Sequence, residues 1–101
     1  MKTTITEENK FTVMYLEGRL DTAASVDVEQ DMQVLMTKAK QDIIFDCSQL
    51  EYISSSGLRL FLNVLKDSYA KGNKVFVRGM NEDIRNVFDM TGFTNLFPIM
   101  P

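Results

Sequence analysis

Residues 42–58 read D-I-I-F-D-C-S-Q-L-E-Y-I-S-S-S-G-L, and the fold class turns on how they divide. Asp42-Ile43-Ile44-Phe45-Asp46 is a short apolar run between acids, as expected of a strand covered on both faces. Ser54-Ser55-Ser56-Gly57 then opens a helical pattern, with apolar residues at Leu58, Phe61, Leu62, Leu65 and Tyr69 and a stop at Gly72-Asn73. A buried strand running through a loop into a helix is the unit from which parallel sheets are built.

The flanking segments extend that unit. Upstream, Thr3–Thr6 and Phe11–Leu16 are rich in β-branched and aromatic residues, and Glu7-Glu8-Asn9-Lys10 makes a polar turn between them. The second of these strands is expected to end near Gly18. Asp21 or Thr22 then caps a helix through about Lys40, with Val28, Met32, Leu35, Met36 and Ala39 at helical spacing. Downstream, Val75-Phe76-Val77 makes another buried strand. Asn81 caps a third helix with Glu82 and Asp83 in its first turn, and Gly92 closes it. Leu96-Phe97 is expected to add a last short strand. The order β-β-α-β-α-β-α-β predicts an α/β fold: a mostly parallel β-sheet, led by an N-terminal antiparallel hairpin, with helices packed against it. With 101 residues and no repeat or linker, residues 1–101 are expected to form one domain.

Composition excludes several function classes. Net charge is −3 and no basic run occurs, which argues against nucleic acid or an anionic membrane surface as the main partner. The apolar stretches are far short of a membrane span and Met1 leads into Lys-Thr-Thr, so no membrane insertion is expected and a cytoplasmic location is. Without histidine there is no Ser-His-Asp triad and no His-ligated metal. The single Cys47 excludes an intrachain disulfide and reads as a core residue beside a buried strand. No Gly-rich nucleotide cradle occurs, and neither a cofactor nor a metal is expected. An enzyme using Ser55 as nucleophile would lack a histidine base, so catalysis is not expected.

Attention therefore falls on the serine loop, which follows a strand at the edge where ligands and partners meet parallel sheets. One serine suffices to cap a helix. Gly57 costs roughly 1 kcal/mol relative to Ala inside a helix, so it is expected to permit a close approach of another backbone or a phosphate and to leave room for a partner. Asp21 and Asp46 are expected at strand ends, either as turn formers or as part of the same rim. Leu60 and Val64 lie off the main stripe of the central helix, either against a neighbouring helix or as an apolar patch for a partner.

The stretch Asp46-Cys47-Ser48-Gln49-Leu50-Glu51-Tyr52-Ile53-Ser54-Ser55-Ser56-Gly57-Leu58 resembles the signature of the STAS domain family as found in bacterial anti-sigma factor antagonists, usually D-x-S-x-L/V-x-x-I/M-D-S-S-G-L. Gly18-Arg19-Leu20-Asp21 is similar to the family's G-x-L-D, and Val87-Phe88-Asp89-Met90-Thr91-Gly92-Phe93 to its later L-F-x-M-T/S-G-L/F. The three segments stand in the family's order across most of the chain. The resemblance implies that Ser55 is phosphorylated by an anti-sigma factor serine kinase with a histidine-kinase-like ATPase fold, with Ser54 as the alternative acceptor. It also implies that the unphosphorylated form binds that kinase through Asp21, Ser54, Ser56 and Gly57, joined by Leu60 and Val64 if these are exposed, and that a PP2C-type phosphatase restores binding. Ser54 stands where the family has Asp. That difference keeps open a STAS interaction module without a phosphoswitch, such as a scaffold or a transporter accessory subunit.

Overall fold

The computed structural model describes residues 1–100. Strand β1 (Lys2–Glu8) and β2 (Phe11–Leu20) form an antiparallel hairpin, followed by α1 (Thr22–Lys38), β3 (Asp42–Ile53), α2 (Ser55–Ala70), β4 (Val75–Arg78), α3 (Glu82–Thr91) and a 3-10 turn at Phe93–Asn95. The sheet order is β1-β2-β3-β4, with β2, β3 and β4 parallel. Because the parallel strands succeed one another in a single direction, right-handed crossovers put the connecting helices on one face of the sheet. The burial pattern agrees. Met14, Leu16, Ile43, Phe45, Cys47, Val75 and Val77 join the core beneath the helices, and Phe45 stacks on Phe61 of α2 at 4.1 Å between ring centroids.

Both long strands outrun expectation. Gly18 does not end β2; at φ +104 it passes through a conformation open to glycine and the strand continues to Leu20. Likewise β3 does not end at Asp46 but runs to Ile53. The reason is a shared irregularity. The β2–β3 register shifts between Tyr15 and Glu17 and again between Gly18 and Arg19, so Ser48 and Gln49 are both exposed before Leu50 is buried. A bulge breaks the two-residue alternation that reveals a strand in sequence. The expected strand at Leu96-Phe97 is also corrected. Phe97 is fully buried against Phe61, Phe88 and Phe93, and the chain meets β4 only through a bridge from Ile99 to Val77.

Asp46 therefore lies inside a strand, away from the strand-end rim, and points to the face that carries no helix. There one network joins all four strands. The Thr6 and Tyr15 hydroxyls donate to Glu8, Arg78 Nη2 donates to the Tyr15 hydroxyl at 3.2 Å, and Arg78 Nε donates to Asp46 at 2.7 Å. The Ser48 hydroxyl and N–H donate to the other Asp46 oxygen. Burial works to raise the Asp46 carboxyl, but the Ser48 and Arg78 hydrogen bonds outweigh it and hold the group below the usual carboxylate range. Glu8 is lowered as well, chiefly by the Tyr15 hydroxyl and then by Thr6.

Two outcomes are expected. Carboxyls depressed in the fold contribute stability that is present above their unfolded values and is lost as pH falls through the lower folded ones. Stability should thus decline with acid from about pH 5 downward. Arg78→Gln should flatten that slope, as read from denaturation midpoints across the range; an unchanged slope would show that the network does not set the acid dependence. On the core face, the Thr12 hydroxyl is buried without a hydrogen-bond partner. Thr12→Val keeps the shape and removes the orphan, so it should raise unfolding stability by about 1 kcal/mol; a lower urea midpoint would contradict this account.

Candidate functional site: the serine loop

The N-termini of α1 and α2 meet at one edge because β2 and β3 are parallel neighbours that end together. Leu20 pairs with Ile53, and the Ser54 N–H donates to the Leu20 carbonyl at 2.9 Å. Each strand passes directly into a capped helix. The Asp21 carboxylate accepts from the Ala24 N–H at 2.8 Å, and the Ser54 hydroxyl accepts from the Gly57 N–H at 3.2 Å. Both caps have extended backbones, the geometry in which a short polar side chain reaches the free donors of the first turn.

That geometry sorts the serines. Ser54 is buried, 8% exposed, and its oxygen is committed to the cap. Ser55 is the first residue of α2 and is exposed, and among the described residues its hydroxyl takes part in no hydrogen bond within the protein. Ser56 is half-buried and lines a cavity of about 210 Å³ between α1 and α2, together with Thr22, Val26, Glu29 and Arg59. A more voluminous cavity, about 400 Å³, opens beside Tyr15 and Asp46 on the helix-free face of the sheet. The caps and the free serine all sit at the other place, which makes the loop the better candidate despite its smaller cavity.

Three expectations need correction. Gly57 does not hold space for a partner. It is buried in the protein, and a Cβ there would lie 2.8 Å from Leu20 Cγ and 2.9 Å from Ile53 Cγ1. The close approach that it permits is that of α2 to its own sheet. Leu60 and Val64 are 6% and 0% exposed and belong to the core, so they form no apolar surface patch, although Leu60 lines the cavity beside Ser56 and Arg59. The helical stripe of α2 is wide because the helix rests on the sheet and also packs against α1. Ser54 is likewise a structural cap with no free hydroxyl to offer.

Sequence reasoning passed over three side chains beside this loop. Arg59 and Val26 are exposed, and the Arg19 guanidinium stacks over the Tyr52 ring at 4.6 Å from its centroid. Position four residues after Ser55 is the signal by which Arg59 is legible; Val26 carries none. Cys47 is fully buried and burial pushes its thiol up, which fits an inert core residue. Among the described residues no group of three or more potential ligands is placed to hold a metal ion, and no helix is long and apolar enough to cross a membrane.

Comparisons with known proteins point in one direction. A family model described as the STAS domain matches residues 2–101. BtrV of Bordetella bronchiseptica, described as a candidate anti-sigma factor antagonist, is 27% identical over 98% of this chain and 85% of its own length. Anti-sigma-B factor antagonists of Staphylococcus aureus are 24% identical over 93% of this chain and 87% of theirs. Among solved structures, the anti-sigma factor antagonist SpoIIAA in its unphosphorylated form superposes with a TM-score of 0.74 at 18% identity, covering 99% of this chain and 88% of that one. It has also been solved in a phosphorylated form, TM-score 0.73. The fold is shared more widely: the murine anion transporter Slc26a9 contains a similar region, TM-score 0.78 at 13% identity, covering 95% of this chain and 17% of that one.

The Gly57 contact is testable. Gly57→Ala gains about 1 kcal/mol of helix propensity, yet overpacking against Leu20 and Ile53 costs about 1–3 kcal/mol. The net expectation is a lower unfolding midpoint. Leu20→Ala opens room for the new methyl, so the double variant should lose less than the two single losses added together. Strict additivity would show that the methyl never meets Leu20.

Proposed function

The chain belongs to the STAS domain family, and from that premise we propose that it is an anti-sigma factor antagonist controlled by phosphorylation of Ser55. In its unphosphorylated form it binds an anti-sigma factor serine kinase through the rim formed by Asp21, Ser55 and Ser56, and so frees a sigma factor. The kinase transfers the γ-phosphoryl group of ATP to the Ser55 oxygen, the bond to ADP breaking as the new ester forms, and the complex dissociates. A PP2C-type phosphatase hydrolyses the ester and restores binding. The chain is a substrate and binding partner, not a catalyst, and works in the cytoplasm beside the transcription machinery.

The observation that carries this reading is the contrast between adjacent serines: Ser54 is buried with its hydroxyl in the cap, while Ser55 is exposed with a free hydroxyl. A kinase must reach the acceptor oxygen, and only the second offers it. Supporting it are the relatives named as anti-sigma factor antagonists. Magnitudes favour a switch in binding over one in folding. The phosphate adds about −1.5 to −2 charges. At the start of a helix an anion is favoured by about 0.3–1 kcal/mol, so the isolated domain keeps its fold. In a contact surface a poorly paired charge costs about 2–5 kcal/mol, which is roughly thirty- to several-thousand-fold in affinity.

A second reading rests on Ser54. The family's usual acid before the phosphoserine is absent, which is compatible with a module that binds without being modified, as in a scaffold or transporter subunit. Incubation with the cognate kinase and ATP, followed by peptide mass analysis, separates the two. One phosphate is expected on wild type and Ser54→Ala, and none on Ser55→Ala. Ser55→Asp should keep the unfolding midpoint and bind at least about thirty-fold more weakly. Stable complex formation with no phosphate on any serine would support the second reading.

A further inference from the structure

We infer that Arg59 is the internal counter-ion of a phosphate on Ser55, so that modification withdraws a cation from the loop surface as well as adding an anion to it. The inference rests on the reading of Ser55 as the modified residue. Its starting point is a spacing on α2. Ion pairs across one helical turn occur elsewhere in the chain, Lys71 with Asp67 at 2.9 Å and Arg85 of α3 with Asp89 at 3.7 Å. Arg59, like Lys66 on the same helix, has no such pair among the described residues. No carboxylate among the described residues comes within 4.0 Å of its guanidinium. One turn before it, at the place of Asp67 relative to Lys71, stands Ser55.

Residues four apart on a helix face one another with Cβ atoms about 5–6 Å apart, within reach of a long side chain. A guanidinium presents two parallel N–H groups, which match two phosphate oxygens. Phosphorylation of Ser55 would therefore place an acid one turn before Arg59, in the favourable order of anion before cation along the helix. The Ser55 hydroxyl is free to carry it, since Ser54 alone serves as the cap. The neighbouring charges leave the pair room to form. Glu29 of α1 lies across the small cavity without bonding Arg59, and Asp21 already accepts from the Ala24 N–H.

The test needs no kinase. Phosphoserine is installed at position 55 of the full chain during translation, and the second ionisation of the phosphate is followed by phosphorus NMR against pH. A cation beside the group favours its dianion and lowers the midpoint. Arg59→Gln should therefore raise the midpoint by about 0.3 unit or more, with Arg59→Lys in between. Arg19→Gln, which removes a cation stacked on Tyr52 instead, should leave it unchanged. Both arginines are exposed, and a circular dichroism melt verifies that each variant is folded. A midpoint unmoved by Arg59→Gln overturns the inference, and so does an equal shift in Arg19→Gln, which would mark a general charge effect. Failure of the kinase to modify Ser55 would instead strike the functional reading, since the installed phosphate reports on Arg59 either way.

Discussion

The approach of α2 to the sheet at Gly57 is the constraint on which the loop depends. With no Cβ at this position, the helix start comes close enough to Leu20 and Ile53 to seal the top of the core. The same closeness lets the Ser54 N–H bond the Leu20 carbonyl, which joins the ends of β2 and β3 before either helix begins. Any side chain there would push α2 outward, and the cap, the cavity between α1 and α2 and the orientation of all three serines would shift together. The loop is thus a rigid rim set by packing beneath it, and Ser55 is displayed without the chain having to open.

The other face of the sheet is shaped by topology. Successive parallel strands placed in one direction leave a side that no crossover helix covers. Side chains on that face cover one another instead, burying Val13 and Ile44, and hold a twisted sheet in register. Phe11 and Phe76 meet edge to face at 5.9 Å near one end, and beside them the Glu8–Tyr15–Arg78–Asp46 network crosses the four strands. Exposed ion pairs contribute little on their own. Here the Arg78 guanidinium is shared between a tyrosine hydroxyl and a carboxylate that also accepts twice from Ser48. The network is better regarded as a cross-strand brace than as a set of separate salt bridges.

Much of this was legible in the sequence, and the failures have physical causes. Helix positions came through because caps act locally: Asp21, Ser54 and Asn81 each bond a backbone N–H three residues on. Fold class followed from the alternation of strand and helix. Strand ends were lost where bulges disturb the two-residue period, which hid the second half of β3 and moved Asp46 from rim to mid-strand. Leu60 and Val64 stood with both alternatives open, because a helix stripe viewed alone cannot reveal a second helix packed at its side. Gly57 misled in a different way. Its need for a close approach was correctly inferred, but nothing local says whether the approaching atoms belong to a partner or to residue 20 of the same chain.

The exchange of the family's aspartate for Ser54 can be weighed with the same physics. As a helix cap serine is about the equal of aspartate, so the substitution leaves α2 anchored. Its effect is electrostatic. A carboxylate at this position would sit beside the phosphate on Ser55 and repel it, whereas a neutral hydroxyl does not. Removing that acid while providing Arg59 one turn onward makes the rim more hospitable to an added anion. Within the domain, serine in place of the acid would therefore lower the cost of a phosphate added to Ser55.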